Sequence, residues 1–337
     1  MKYIRCVRVL AGNQMALGMI NRTTMTLFQL VGISALLLVM NCKSHGQTRK
    51  VDQVKVAQNF QVGKKYEFEV QRGKADSRQP GTENIKSSTE VEFVALSTED
   101  NLKECSWKYG STSIVGINPD QIDERTRKYM DTFEGMEVKF LIDKNGLIHG
   151  LTNFEDCKNH IKNSFRVIYD NAVQKLSSDE ITKMMDALKP SYDNPEALIS
   201  TYCPEITVFF TMFGETIKSD SVRISHSELP NPFGGRNFPT DVSTKIEEIE
   251  NNIAVISVSQ TIPEKDLNEI MRETVVELSK LSNKPFDASD IPKVNMSTTS
   301  TFKFDYQRNV LLEVYTQKIV ETSGIKQTQT LKVLLRN

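Results

Sequence analysis

A nucleophile stands beside a base at Ser225-His226-Ser227, the residue types that acyl transfer requires. The surrounding pattern is that of a strand, however. Neighbouring strand residues point to opposite faces, so neither serine can reach His226 within the strand, and polar surface positions are the simpler reading. His45, His149 and His160 are far apart in the chain, which leaves little from which to build a metal site or a general base. Carboxylate pairs occur at Asp179-Glu180 and Glu247-Glu248. A hydrolase built on such groups would need two of them facing each other across a cleft at roughly 5–10 Å. GxSxG, HExxH, GxGxxG and Gly-Lys-Ser/Thr patterns are absent, so no catalytic residue, metal ligand or cofactor is assigned.

Cysteine chemistry depends on compartment, and compartment on residues 20–46. Leu27 to Met40 reads LFQLVGISALLLVM, interrupted only by Gln29 and Ser34. As a helix it would extend about 21 Å, short of the roughly 30 Å hydrocarbon core of a bilayer, which suits the core of an export signal better than a permanent span. Arg22 precedes it, and Met19 offers an economical start. Ser44 and Gly46 place small residues at −3 and −1, giving cleavage between Gly46 and Gln47. The competing exit is Val39-Met40-Asn41-Cys42, similar to a lipobox in which Cys42 would carry the lipid anchor, with Asn41 departing from the usual small residue. Beyond residue 46 three cysteines remain, Cys105, Cys157 and Cys203. In an oxidising compartment Cys157 and Cys203, both in the helical middle, are the candidate disulfide, against the alternative that all three are small buried hydrophobes.

The chain has 42 basic and 43 acidic residues, with 39% hydrophobic and 25% charged, which is globular. Residues 1–46 hold five bases and no acid, leaving the remainder with six more acids than bases. Such a balance, without a basic stripe, excludes nucleic acid as a partner.

Residues 47–63 read as a flexible tether and 64–152 as a first β-rich half. Tyr66, Phe68 and Val70 alternate with Lys65, Glu67 and Glu69, as do Val91 and Phe93 with Glu90 and Glu92. Asn118-Pro119-Asp120 predicts a short capped helix. A hairpin follows, turning at Asp143-Lys144-Asn145-Gly146, where Asn-Gly tolerates positive φ; too few oxygen ligands are spaced for a calcium loop. The middle, 153–213, is helical: Phe154, Cys157, Ile161, Phe165, Ile168, Ala172 and Leu176 form one apolar stripe. Ser177–Glu180 is a capping box, and a third helix begins near Pro195. The apolar run Ile206–Phe213 leans to helix, its Phe209, Phe210, Met212 and Phe213 reading as a core plug rather than a ligand box. A second β-rich half occupies 214–337, broken by a helix after Pro263. Its loop PNPFGGRNFP, 230–239, is a candidate interaction loop led by Phe233, Arg236 and Phe238.

The hairpins at 138–153 and 302–317 align without gaps, matching Lys139, Phe140, Asn145, Leu147 and Thr152 to Lys303, Phe304, Asn309, Leu311 and Thr316. Hairpins share composition for physical reasons, so duplication of the halves stays an open alternative. The expected class is α+β: curved antiparallel β-sheets in two similar, half-barrel-like halves with a helical segment between them. On the export segment, the Gln-led mature end, the paired β-rich halves and the FLIDKNGLIHGL hairpin, the chain resembles uncharacterised secreted or lipid-anchored envelope proteins of Bacteroidota. In element order alone it is remotely similar to half-barrel lipoprotein carriers. The resemblance implies an envelope location and an apolar cavity, and transfers no functional residue. The expected function is non-enzymatic binding of a hydrophobic, lipid-like ligand or of an envelope protein partner, with membrane contact only through the signal segment or an anchor at Cys42. The alternatives are a scaffold or adhesion module acting through surface loops, and a carboxylate hydrolase.

Overall fold

Tyr66, Phe68 and Val70 are buried while Lys65 and Glu67 face water, so the period of two in the sequence is the period of a real strand. The computed structural model describes residues 51–57, 59–78, 86–99, 101–116, 120, 122–170, 177–229, 231, 236–282 and 293–336. Strands β2 (Lys65–Asp76), β3 (Lys86–Glu99), β4 (Leu102–Ile114), β5 (Glu137–Ile142) and β6 (Ile148–Leu151) form one antiparallel meander. Strands β8 (Arg223–Leu229), β9 (Phe238–Glu250), β10 (Ile253–Thr261), β11 (Val294–Asp305), β12 (Val310–Thr322) and β13 (Ile325–Leu335) form another. Each inserts a helix between its third and fourth strands: α1 (Glu124–Met130) in the first, and α6 (Glu264–Ser282) in the second.

The two halves are one sheet. β13 pairs antiparallel with β2, giving the eleven-stranded order β6-β5-β4-β3-β2-β13-β12-β11-β10-β9-β8, which is not closed into a barrel. Bulges interrupt the ladders at Thr89/Val91, Ala95/Ser97, Val255/Ile256 and Lys303/Phe304, where an extra residue bends the strand and increases its twist. The outer face is polar and charge-paired. Glu313 on β12 lies between Lys303 on β11 (3.2 Å) and Lys332 on β13 (3.0 Å), while Glu69 on β2 accepts from Gln71, Ser88 and Arg336.

The inner face is covered by helices instead of by a second sheet. α2 (Phe154–Asp170), α3 (Ser178–Leu188), α4 (Pro195–Tyr202) and α5 (Pro204–Phe210) fill the chain between β6 and a short strand β7 (Thr216–Lys218). Asn194 caps α4, accepting from the Ala197 amide at 2.8 Å, with Pro195 in the first turn. α1 is capped by Asp123, which accepts from the Thr126 amide; of the expected Asn118-Pro119-Asp120 start, Asn118 and Pro119 lie outside the described residues. α6 covers the far end of the sheet, where Phe238, Ile262, Leu267 and Ile270 form a small core.

Residues 51–57 and 59–63 are no tether. Strand β1 (Gln53–Lys55) pairs with β7, Val54 and Val56 are fully buried, and Phe60 packs edge-on against Phe93 at 4.7 Å and Tyr66 at 5.2 Å. The burial of these apolar side chains offsets the entropy of ordering the segment.

The Asn145-Gly146 turn docks on the helices. Gly146 alone in that turn has positive φ, +79°, and Asp143 closes it by accepting from the Asn145 and Leu147 amides. A Cβ at Gly146 would meet Phe213 Cβ at 2.7 Å and the Phe210 carbonyl oxygen at 2.8 Å. Gly116 has a similar φ of +82° with nothing within 4 Å. Gly146→Ala is therefore expected to destabilise the fold by about 2–4 kcal/mol, against about 1–2 kcal/mol for Gly116→Ala, measured by urea denaturation. Equal losses would show that the turn does not touch the helices.

The hydrogen bonds from Gln71 and Ser88, reinforced by Arg336 against a small burial penalty, lower the Glu69 carboxyl from 4.5 to about 2. A depressed carboxylate stabilises the fold above its unfolded pKa and loses that contribution as pH falls through its folded one. Stability is expected to drop between pH 4.5 and about 2 by on the order of 2–3 kcal/mol from this group, and Glu69→Gln to flatten that part of the profile.

Candidate functional site

The inner face of β2–β5 is aromatic. Phe68 stacks on Trp107 at 5.5 Å, and Phe93, Tyr66 and Phe140 lie in the same layer. From above, α5 lowers Phe209 and Phe210 onto these rings, with Phe209 edge-on to Phe68 at 5.0 Å and Phe210 to Phe140 at 5.5 Å, while Phe213 in the turn after it packs against Phe60 at 5.9 Å. The expected core plug is thus present, and its rings meet in the edge-to-face arrangement their quadrupoles favour.

One charged group enters this layer. Glu205, in the first turn of α5, is completely buried. Its Oε1 accepts from Arg72 Nη2 on β2 at 2.7 Å and, in a shorter bond, from the Tyr109 hydroxyl on β4. Its Oε2 has no hydrogen-bond partner among the described residues. Burial works against the Arg72 guanidinium's charge, but Glu205 more than offsets it and raises its pKa above the usual value. Burial, with Cys203 and Glu205 beside it, pushes the Tyr109 hydroxyl well above its usual range, so it remains a donor. Arg72 and Tyr109 project from the floor and Glu205 from the helix above, so this triad joins plug to sheet by charge-assisted hydrogen bonds.

The expected Cys157–Cys203 disulfide is not formed. All three described cysteines are free and buried. Cys157 Sγ lies 3.4 Å from both the Glu137 carbonyl and Asn153 Oδ1, and Cys203 sits between α4 and α5 beside the Tyr109 hydroxyl, so each thiol is satisfied locally. Burial raises Cys105 and Cys157 to about 12 and Cys203 higher still, far from thiolate chemistry.

The interaction-loop reading is corrected at Phe238. Phe238 is no surface anchor: it begins β9 and packs under α6 with Ile262, Leu267 and Ile270. Arg236 is exposed and lies 3.4 Å from Glu269 on α6; Phe233 lies outside the described residues. Cys42, Gly46 and Gln47 also lie outside them. His226 points to water and pairs with Asp241 across the β8–β9 ladder at 2.7 Å, while His160 contacts the Thr132 carbonyl. No group of three or more His, Cys, Asp or Glu able to hold a metal occurs among the described residues.

No family model matches this chain. No curated protein matches it either. A solved structure concerned with lipid–protein interactions in lipovitellin is similar to it with a TM-score of 0.36 and 10% identity, covering 83% of this chain and 26% of that one. The chain spans about a quarter of the lipovitellin chain it matches, a likeness too coarse to place any residue of the site.

The triad is asymmetric: Glu205 is wholly buried, whereas 28% of the Arg72 side chain reaches water. Arg72→Met is expected to cost about 3–5 kcal/mol, because it strands a buried carboxylate, and Glu205→Gln only about 1–2 kcal/mol. Urea denaturation at neutral pH measures both; equal costs would contradict the assignment.

Proposed function

We propose that this chain is an exported envelope protein that takes up an apolar chain on the inner face of its sheet, in exchange for the α4–α5 plug. The observation carrying the reading is that an aromatic floor is covered by the short helix α5, which is tied to it through one buried ion pair and flanked by the short helix α4. Helices of eight and seven residues do not hold their shape alone in water, so α5 depends on that floor, and α4 on α5 and β6, for their structure. What α5 and the turn after it bury is mostly phenyl rings, and the hydrophobic effect is non-directional, so an acyl-like chain can bury the same surface that Phe209, Phe210 and Phe213 bury. Exchange of one apolar cover for another leaves a small difference between large terms, which is what reversible loading requires. Export is supported by the fourteen-residue apolar run and its small-residue exit, and an envelope location follows from it.

The experiment combines native mass spectrometry on protein mixed with a lipid extract and hydrogen exchange on the same sample. Retention of an apolar ligand is expected, together with faster exchange in residues 195–213 while β2–β5 stay protected. Absence of a retained ligand, or binding that leaves the α4–α5 amides unchanged, overturns the reading.

A further inference from the structure

Between the two helical covers the inner face of the sheet changes character. Partners directly opposite in an antiparallel ladder share a face. The registers set Thr298 on β11 opposite Lys318 on β12, Lys318 opposite Gln329 on β13, and Gln329 opposite Lys74 on β2. The next row toward the aromatic floor is Ser300, Thr316, Leu331 and Arg72, and the row after it is Phe302, Val314, Val333 and Val70. Across about 14 Å, four residues' length of strand, the surface passes from ammonium groups to wholly apolar side chains.

The cations of this row exceed its acids. On the inner face of these four strands the acid is Asp76, which is held by Arg78 and by Gln327 Nε2 at 3.1 Å. Above them Glu205 is committed to Arg72. Neither Lys74 nor Lys318 has an ion-pair partner among the described residues. Lys318 is largely withdrawn from water, and that burial lowers its pKa, the signature of an ammonium whose charge nothing nearby compensates. An unpaired, desolvated charge costs stability, and an apolar side chain at 318 would avoid the cost.

We infer that Lys318, with Gln329 and Lys74 beside it, receives the anionic head group of the ligand whose apolar chain runs toward Val314, Val333 and Phe68. The ligand class is therefore a single-headed amphiphile bearing a carboxylate or a phosphate. This rests on the proposed function and names the substrate class of that site. An apolar chain alone would leave both ammoniums uncompensated, and an acidic peptide or nucleic acid would not use the apolar rows that adjoin them.

The test uses the full protein with a fluorescent polyene fatty acid, its methyl ester, and phosphatidic acid as competitor, at neutral pH. The acid is expected to bind at least about tenfold more tightly than the ester, the smaller end of what a charge-assisted hydrogen bond contributes. Lys318→Met is expected to bring the two within about twofold by weakening the acid alone, while Lys318→Arg keeps the preference. The Lys318→Met protein should melt at or above the wild-type temperature, which separates lost recognition from lost folding; Lys74→Met serves as the second variant. Displacement of the acid by phosphatidic acid at lower concentration than by an unlabelled fatty acid assigns a phosphate head, and the reverse order a carboxylate. Equal affinity for acid and ester, or a Lys318→Met variant weakened equally for both, overturns this inference alone. Failure of both probes to bind overturns the proposed function with it.

Discussion

Nine cross-strand pairs between β2 and β13 join the two meanders into one sheet, and every feature of the site depends on that seam. Arg72 and Lys74 come from one side of it, Leu331 and Gln329 from the other. The seam is reinforced at its end, where the Arg336 amide donates to the Glu67 carbonyl and its guanidinium to Glu69. Without it each meander would end in a long unpaired edge, and the aromatic floor would lie apart from the lysine row. Because the partners are separated by most of the chain, the loop that must close is long and the pairing belongs to a late, slow stage of folding.

Upon that sheet the plug is specific without being strongly held. A buried ion pair gives little net stability, since desolvation consumes much of the Coulomb gain, but it tolerates only one geometry. Glu205 meets Arg72 and Tyr109 only when α5 sits in one register on the floor, so the pair selects the position while Phe209 and Phe210 supply the burial. An all-apolar plug of the same area would slide among several packings, as loosely specified cores do.

Local patterns in the sequence foretold the elements and missed their partners. Alternation at Tyr66, Phe68 and Val70, the Asn194-Pro195 start of α4 and the plug character of Phe209–Phe213 were legible because each is encoded within a few residues. The β2–β13 pairing was not, since nothing in residues 65–76 names a partner near residue 330. Glu205 was missed for a similar reason: Tyr109 lies 96 residues away, and an acid in a first turn is the ordinary companion of a helix N-terminus. A signal existed, in that Glu205 interrupts an otherwise apolar run continuing from Ile206. Val54 and Val56 flanking Lys55 were likewise a short strand hidden in a polar segment, and Phe238 was read with the Gly-Pro loop before it although its side chain belongs to the strand after it.

The distribution of charge over the two faces carries the functional argument one step further. On the outer face bases are matched to acids across the ladder, as with Lys303, Glu313 and Lys332, and solvent would have tolerated them unmatched. On the inner face, where mismatch is expensive, Arg72 is matched and Lys318 has no ion-pair partner among the described residues. A sheet that needed only to fold would place its unmatched charges the other way round. The matched inner pair holds the cover in place, and the ammonium of Lys318 lies two strands away from it, across β13. A ligand with an apolar chain and one negative charge would compensate both departures at once, replacing phenyl rings on the floor and supplying Lys318 with its counter-charge.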